Sequence, residues 1–295
     1  MTADDRPSLW SALREVAFTQ SYVDAGGIRT RYVEAGPADA PAVVMLHGTG
    51  GHWETFARNL GPYSQHFRTI AFDMVGNGFT DRPDYDYEIP QYVAHVQATM
   101  NALGVQRAHL LGTSLGSWVA AAFALQHPER VHKLVFMSAT GLVGTAENMA
   151  RIRATRMNAV NDPEWSSIKA MFDHLLADEK DRLDDLVSLR QAIYRQPGMI
   201  QTMEHTLVLQ DAEVRQRNLI PEADWRRITA PTLTIASGED VSEYTNTSRQ
   251  VAQLMPNATV FEMPAVKHWP HFENADLFNQ VSLHFLLTPT PSPRT

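Results

Sequence analysis

Three side chains of this sequence have the types and the order needed for nucleophilic catalysis: Ser114, Asp240 and His268. Ser114 lies within Gly-Thr-Ser-Leu-Gly, residues 112–116, where one apolar stretch ends and a second begins. The G-x-S-x-G spacing is typical of a sharp turn from a buried strand into a helix, which exposes the serine hydroxyl at the carboxyl end of a sheet. Because the pentapeptide also occurs by chance, a nucleophilic role depends on a base and an acid elsewhere in the chain.

The base is expected on the loop after the last strand of such a fold, and His268 occupies that place. It follows the strand-like segment TVFEMP after the short connection AVK. His271 begins the final helix, where we expect it to cap the helix or to face solvent. Four other histidines fall on helices or helix ends and are interpreted as solvated imidazoles: His66, His95, His127 and His174.

The acid that orients the base is expected on the loop after the preceding strand, within APTLTIASGEDVSE. This segment offers Glu239, Asp240 and Glu243. We favour Asp240, because it lies a few residues past the strand end and a short carboxylate on a tight loop suits holding an imidazole. The alternative is a solvated acidic loop without a catalytic role.

An oxyanion formed on the substrate needs two preorganised backbone N–H donors. The residue after the nucleophile, Leu115, would supply one of them. The other is expected from the glycine-rich loop at residues 47–51, where Thr49 is the first choice and Gly50 the second. A simple turn or a phosphate cradle is the alternative, but the loop matches neither G-K-[ST] nor G-x-G-x-x-G. Together these residues predict acyl transfer to a serine.

The elements that would position these residues alternate between strand and helix, which indicates βαβ units and a parallel sheet. AVVMLHG, RTIAFDM, RAHLLGTS and VHKLVFMSA are short apolar runs typical of doubly buried strands. IRTRYVEAG alternates like a half-exposed strand and would pair with the preceding SYVDAGG. Residues 141–221 are charged and helical, after which the strand–helix alternation returns and ends in a helix from Phe272 to about Leu287. We therefore predict an α/β core at residues 1–140 and 222–288, a helical cap inserted after the sixth strand at 141–221, and a disordered tail at 289–295.

Composition excludes several kinds of site. The chain has 295 residues, a formal net charge of −8 and no cysteine, so disulfides, thiolate nucleophiles and cysteine-bound metals are ruled out. The acidic balance argues against a nucleic-acid partner. Without H-E-x-x-H or a similar spacing, we predict no metal and no cofactor. Neither a secretory signal nor a run long enough to span a membrane is visible, so we expect a cytoplasmic protein without a membrane partner.

The chain resembles the α/β-hydrolase superfamily over nearly its whole length, with residues 141–221 in the place of the cap. It looks most like the meta-cleavage product hydrolases, which cleave carbon–carbon bonds in ring-opened aromatic or steroid metabolites. The segments that carry the resemblance are LHGTGGHWETFARNL, FDMVGNGFTDRP, LLGTSLGSW, LRQAIYRQPG and HWPHFE. Ser114, Asp240 and His268 match that family's triad.

The resemblance also implies four substrate-binding positions: Arg190, Trp269, Thr113 and Gly48. Arg190 matches an arginine that holds the substrate's dienoate carboxylate, and a bidentate guanidinium suits that task. The alternative interpretation is a solvated arginine on a charged helix, and that of Trp269 is a core aromatic. Thr113 departs from the family, which commonly has asparagine there, and the acid loop also departs from the common G-x-x-D form.

The function implied is a cofactor-free serine hydrolase that cleaves a C–C bond in a 2-hydroxy-6-oxo-hexa-2,4-dienoate-type compound. Its partner would be a small, carboxylate-bearing, aromatic-derived substrate, and a homo-oligomer is compatible with the resemblance. The same triad would serve an esterase, lactonase or amidase, which is the main alternative. A binding protein without activity is a third hypothesis, disfavoured because all three triad residues are retained. A halide-displacing relative would need aspartate at position 114, where this chain has serine.

Overall fold

The computed structural model describes residues 8–289 and contains one eight-stranded sheet with the strand order β1-β2-β4-β3-β5-β6-β7-β8. Strand β2 pairs antiparallel with β1 and β4, and the remaining neighbours are parallel. The strands are β1 Phe18–Asp24, β2 Arg29–Ala35, β3 Ala42–Leu46, β4 Arg68–Phe72, β5 Ala108–Thr113, β6 Val131–Met137, β7 Thr232–Ser237 and β8 Ala258–Met263. The predicted α/β architecture with a mostly parallel sheet is confirmed.

Helices cover both faces of the sheet, which explains why its central strands are continuous apolar runs. Every residue of β3, β5 and β7 is buried, whereas the edge strands β1 and β8 are partly exposed. The core helices are α1 Leu9–Leu13, α2 Ala57–Ser64, α3 Ile89–Ala102 and α4 Leu115–Gln126, followed later in the chain by α10 Glu222–Trp225, α11 Ser242–Leu254, α12 Pro270–Glu273 and α13 Ala275–Leu287.

Between β6 and α10 the chain forms five α-helices and no strand within the described residues. They are α5 Ala146–Asn161, α6 Trp165–Asp173, α7 Asp184–Tyr194, α8 Met199–Thr206 and α9 Ala212–Asn218. Their buried apolar side chains, such as Ile168 and Leu186, form one cluster with Val135 and Met137 of β6. The helical segment is therefore packed directly over the sheet, although the division into core and cap at residues 141–221 stays a prediction.

The predicted final helix from Phe272 to Leu287 is wrong in one respect, because the structure divides it into α12 and α13. Asn274 lies between them with φ −132° and ψ 66°, outside helical values. Its side chain accepts a hydrogen bond from the Leu277 N–H, so Asn274 acts as the N-cap of α13.

The ends of the chain add little to this picture. Of the predicted disordered tail, residues 290–295 lie outside the described residues. None of the helices in the described part of the chain combines the length and apolar character that crossing a bilayer requires.

Candidate active site

Ser114 occupies a strained turn between β5 and α4. Its backbone has φ 52° and ψ −119°, a conformation that a non-glycine residue rarely adopts. The turn is tight because Gly112 and Gly116 lack side chains. A Cβ at Gly112 would collide with the carbonyl of Gly116, and one at Gly116 with the carbonyl of Leu46. The elbow is fixed in place by the Ser114 N–H, which donates to the Met137 carbonyl at 2.9 Å.

Asp240 and His268 are in direct contact at the carboxyl ends of β7 and β8. His268 Nδ1 lies 2.9 Å from Asp240 Oδ2, and both side chains are almost fully buried. Burial alone would raise the pKa of the Asp240 carboxyl. The nearby imidazole and the hydrogen bonds from Ser138 and the Val241 N–H more than offset burial, so this pKa lies below its ordinary range. Asp240 is therefore held as a carboxylate that can orient the imidazole.

Ser114, Asp240 and His268 all line one cavity between the sheet and the helices above it. The ring of Tyr244 packs edge-on against the His268 imidazole, with centroids 4.5 Å apart. The backbone N–H of His268 donates to the backbone carbonyl of Leu175. This hydrogen bond joins the loop that carries His268 to the segment after α6. The structure thus brings together the three residues that sequence reasoning selected as nucleophile, acid and base.

The other acidic residues near Asp240 have different partners. Glu243 accepts hydrogen bonds from the Thr145 N–H and hydroxyl and from the Asn148 amide, all at the start of α5. Glu239 is exposed. Of Glu239, Asp240 and Glu243, Asp240 is the one in contact with His268. It is also the acid that the sequence analysis favoured.

The loop at residues 47–51 reaches the nucleophile from β3. A Cβ at Gly48 would lie 3.3 Å from that of Ser114, so the loop passes directly over the serine. Thr49 lines the cavity of Ser114, Asp240 and His268, and it also lines a smaller cavity together with Ser114 and Leu115. Gly50 has φ 66° and lies beneath the Tyr194 hydroxyl. Thr49 and Leu115 therefore line cavities that Ser114 also lines, and their role as oxyanion donors, like that of Gly50, stays a prediction.

His47 holds this loop in place. Its Nε2 accepts a hydrogen bond of 3.0 Å from the Met74 N–H, so its proton sits on Nδ1, which lies 2.7 Å from the Gly48 carbonyl. Burial lowers the pKa of His47 to about 4, which keeps it neutral and keeps that tautomer. A Cβ at Gly51 would lie 2.7 Å from His47 Nδ1, so glycine is needed there.

Arg190 is fully buried, and the alternative of a solvated helix arginine is wrong. Its Nη1 lies 3.3 Å from the Tyr194 hydroxyl, and its Nε and Nη2 have no hydrogen-bond partner within residues 8–289. The side chain lies behind Met171, which lines the cavity. A buried guanidinium with unused donors is costly unless an anion completes it.

Trp269 and Thr113 have different surroundings. Trp269 is buried yet lines the cavity, and its ring packs edge-on against Phe172 at 5.8 Å. It is therefore both a core aromatic and a wall of the site. Thr113 is the last residue of β5, and its enclosed hydroxyl has no hydrogen-bond partner in the described chain. Thr113 is not among the residues that line the cavity.

Two histidines differ from their sequence interpretation. His95 is buried rather than solvated: Nε2 lies 2.8 Å from the Thr30 hydroxyl, and Nδ1 accepts from the Val75 N–H. His271 neither caps a helix nor faces solvent, because it is fully enclosed, with the Phe56 ring 5.1 Å away. Both were misplaced because an imidazole is compatible with core and surface alike, and neighbouring residues do not separate the two.

Two residues of this region were missed. Ser138 follows β6 with φ 47° and donates to Asp240 Oδ2 at 2.7 Å. Arg156, on α5, is buried and lines the cavity. The position of Ser138 at the carboxyl end of a central strand is a signal that could have identified it. In the charged helix α5, nothing distinguished Arg156 from its exposed neighbours.

Across residues 8–289 there is no group of three or more histidine or acidic side chains that could hold a metal ion.

Comparison with known proteins agrees with this geometry. Residues 41–275 match the family described as the alpha/beta hydrolase fold. A 2-hydroxy-6-oxononadienedioate/2-hydroxy-6-oxononatrienedioate hydrolase from Comamonas testosteroni is 32% identical over 257 residues, covering 84% of this chain and 88% of the relative. A 2-hydroxy-6-oxo-6-phenylhexa-2,4-dienoate hydrolase from Burkholderia cepacia is 30% identical, covering 83% and 87%.

Among solved structures, a variant of the meta-cleavage product hydrolase from Pseudomonas fluorescens IP01 superposes with a TM-score of 0.78 at 26% identity. The match covers 92% of this chain and 98% of that one. The family resemblance read from the sequence motifs is thereby confirmed. This chain belongs to the α/β-hydrolase family of enzymes and, within it, is similar to the meta-cleavage product hydrolases.

Proposed function

We propose that this protein hydrolyses a carbon–carbon bond in a 2-hydroxy-6-oxo-hexa-2,4-dienoate-type substrate, with Ser114 as nucleophile, His268 as base and Asp240 as the orienting acid. The observation that carries the proposal is the buried Asp240–His268 contact of 2.9 Å in one cavity with a strained Ser114. The C–C specificity rests on the two relatives reported above, whose names specify hydroxy-oxo-dienoates.

The reaction would begin with conversion of the dienol to its keto tautomer. Ser114 then adds to the ketone carbon as His268 takes the hydroxyl proton. The backbone N–H groups of Leu115 and Thr49 would hold the oxyanion, with Gly50 as the second choice in the loop. The bond between the carbonyl carbon and the neighbouring dienoate carbon breaks, and its electron pair passes into the conjugated acid, which is protonated. Water then releases the acyl group from Ser114 as a carboxylic acid.

The carboxylate of the dienoate would bind at the inner end of the cavity, near Arg190. The support is the pair of unused guanidinium donors, Nε and Nη2, in a side chain without solvent exposure. Charge-assisted hydrogen bonds to both would fix the carboxylate in two directions. Trp269 and Gly48 would form the walls beside the conjugated chain, and the Thr113 assignment rests on sequence position alone.

The test is the loss of visible absorbance from a panel of yellow meta-cleavage dienolates, run beside p-nitrophenyl esters. We expect rapid bleaching of at least one dienolate by the wild type and none by Ser114→Ala. The matched control is Ser166→Ala, which removes an exposed hydroxyl from α6 and should retain the wild-type rate. A fluorophosphonate should label Ser114 in the wild type and in the control only.

Two outcomes would contradict the proposal. Untouched dienolates together with fast ester turnover would assign the triad to an esterase, lactonase or amidase. Inertness toward every substrate, with no labelling of Ser114, would indicate a binding protein built on a hydrolase scaffold.

A further inference from the structure

A second buried arginine borders the cavity and has no role in the mechanism above. Arg156, on α5, is 8% exposed and lines the cavity together with Ser114 and His268. Its Nη1 is enclosed without a hydrogen-bond partner within residues 8–289. Asp240 is the one carboxylate among the described residues that line this cavity, and it is already engaged by His268. Arg156 therefore brings a positive charge to the cavity that no unengaged acid among these lining residues balances.

Arg156 and Arg190 lie side by side, although they belong to different helices. Arg190 Nη1 lies 3.3 Å from the Tyr194 hydroxyl. A Cβ at Gly50 would lie 3.1 Å from the same hydroxyl and 3.9 Å from Arg156 Cδ, so these side chains meet above the glycine. Burial lowers the pKa of Arg156, and the positive charge of Arg190 acts in the same direction. Two guanidinium groups, each with unused donors, are thus held in one small region of the interior.

This arrangement constrains the ligand, because neighbouring buried guanidinium groups are best balanced by neighbouring anionic oxygens. Acids at opposite ends of an extended molecule would not reach both arginines. The head of the proposed substrate would, since its C1 carboxylate and its C2 oxygen are carried by adjacent carbons. When the 2-hydroxyl group loses its proton, this head bears two negative charges side by side. A single dienolate head would therefore give both Arg156 and Arg190 an anionic partner.

We propose that Arg156 binds the C2 oxygen of the substrate beside the carboxylate at Arg190, so that the enzyme holds its substrate as the ionised dienolate. This inference rests on the proposed function, which places the carboxylate at Arg190. Ionisation breaks the 2-O–H bond: the proton passes to solvent and the electron pair stays on oxygen. Conversion to the keto tautomer then forms the C2–O double bond from that pair, while the diene electrons shift toward C5 and take up one proton there. Arg156 stabilises the negative charge on the C2 oxygen before this step.

The first measurement follows the bound substrate without turnover. In the Ser114→Ala background, bound 2-hydroxy-6-oxo-6-phenylhexa-2,4-dienoate is titrated with pH, because its enol and dienolate forms differ in absorbance. We expect binding to increase the ionisation constant of the 2-hydroxyl group by at least about tenfold, which is one pKa unit. Adding Arg156→Met should remove most of this shift. Adding Arg153→Met instead, which removes an exposed arginine from the same helix, should retain it.

The stability of Arg156→Met separates a ligand-binding role from a structural one. This change removes a buried charge whose Nη1 has no partner in the ligand-free protein, so we expect the variant to fold. Its free energy of unfolding, measured by chemical denaturation, should be no lower than that of the wild type. A marked loss of stability would show that Arg156 supports the fold rather than the ligand. A folded variant that keeps the full shift of the 2-hydroxyl group would equally overturn the proposal.

A ligand outside the C–C chemistry distinguishes this inference from the proposed function. Oxalate carries anionic groups on two adjacent carbons, and oxamate replaces one of them with a neutral amide of similar shape. By calorimetry, we expect the wild type to bind oxalate at least about tenfold more tightly than oxamate, and Arg156→Met to lose this difference.

The outcomes for the two proposals differ. Turnover of dienolates together with equal affinities for oxalate and oxamate would overturn the role of Arg156 and leave the proposed function standing. Without turnover of any dienolate, the proposed function fails. An oxalate preference that requires Arg156 would then still support a site for two adjacent anionic oxygens, and equal affinities would overturn that site as well.

Discussion

Ser138 Oγ donates a 2.7 Å hydrogen bond to Asp240 Oδ2, the same carboxylate oxygen that lies 2.9 Å from His268 Nδ1. The Ser138 oxygen also lies 3.0 Å from the His268 carbonyl oxygen. Ser138 has φ 47°, an unfavourable backbone conformation for a residue other than glycine. This conformation, just after the end of β6, directs the hydroxyl toward Asp240. The acid is therefore positioned by a neighbouring strand as well as by its own loop.

Replacing Ser138 with alanine should lower kcat about tenfold and leave KM nearly unchanged. A hydrogen bond to a charged group contributes roughly 1.5–3 kcal/mol, and part of this orients Asp240 toward His268. Steady-state kinetics on a dienolate that the wild type bleaches would measure the effect. A change confined to KM would contradict a positioning role.

The same variant makes a prediction for stability. The pKa of Asp240 is lowered in the folded protein, and Ser138 is one of the groups that lower it. A lowered carboxyl pKa stabilises the fold above the unfolded value of about 4, and this contribution is lost as pH falls through the folded value. The difference in free energy of unfolding between wild type and Ser138→Ala should therefore be present at pH 7 and shrink below pH 4. A difference that stays constant with pH would show that Ser138 acts on packing alone.

Arg31 joins two buried acids, Glu54 and Asp73. Its guanidinium contacts Glu54 at 2.8 Å and Asp73 at 2.6 Å, and Asp73 also accepts from the Trp53 N–H. Arg31→Leu would leave two buried carboxylates unpaired, so we expect a loss of about 3–5 kcal/mol in the free energy of unfolding. Chemical denaturation would measure it, with the exposed Arg29→Leu as the control. If the two variants have similar stability, the buried network does not hold this region together.

Much of the fold and the triad could be predicted because strong local patterns encode them. Strands that are buried on both faces consist of continuous apolar residues. The turn at Ser114 requires glycine at positions 112 and 116, because a side chain at either would collide with a backbone carbonyl. The order of nucleophile, acid and base then follows from the order of the strands. Asp240 could be separated from Glu239 and Glu243 because its side-chain length and distance from the strand suit a tight loop.

The remainder depends on contacts between distant parts of the chain. Ser138 and Asp240 are 102 residues apart, and no local feature of either segment indicates the other. The burial of Arg156 and Arg190 depends on how α5 and α7 pack over the sheet. Both helices are charged, so their periodicity does not show which arginine faces inward. The break at Asn274 depends on one side-chain cap within an otherwise helical pattern.

Thr113 provides a test of a substrate-binding position that rests on sequence reasoning alone. Its buried hydroxyl lacks a hydrogen-bond partner, so Thr113→Val should raise the free energy of unfolding by about 1 kcal/mol and change kcat/KM less than about twofold. Thr140→Val is the matched control, because the Thr140 hydroxyl donates to the Ser114 carbonyl at 3.0 Å and its loss should be destabilising. A tenfold rise in KM in Thr113→Val would instead place this hydroxyl against the substrate.

His271 should make the protein sensitive to mild acid. Burial, with the charge of His268 adding to it, lowers the pKa of His271 to about 3. Between about pH 6.5 and pH 3 the unfolded chain binds a proton at this position that the folded chain does not, so stability falls as pH decreases through this window. His271→Phe, with a ring that suits the aromatic surroundings of Phe56 and Phe278, removes this proton uptake. The stability lost between pH 7 and pH 5 should then be smaller by about 2 kcal/mol than in the wild type. Urea unfolding at both pH values measures the difference, and equal losses in the two proteins would show that His271 is protonated in the folded state as readily as in the unfolded chain.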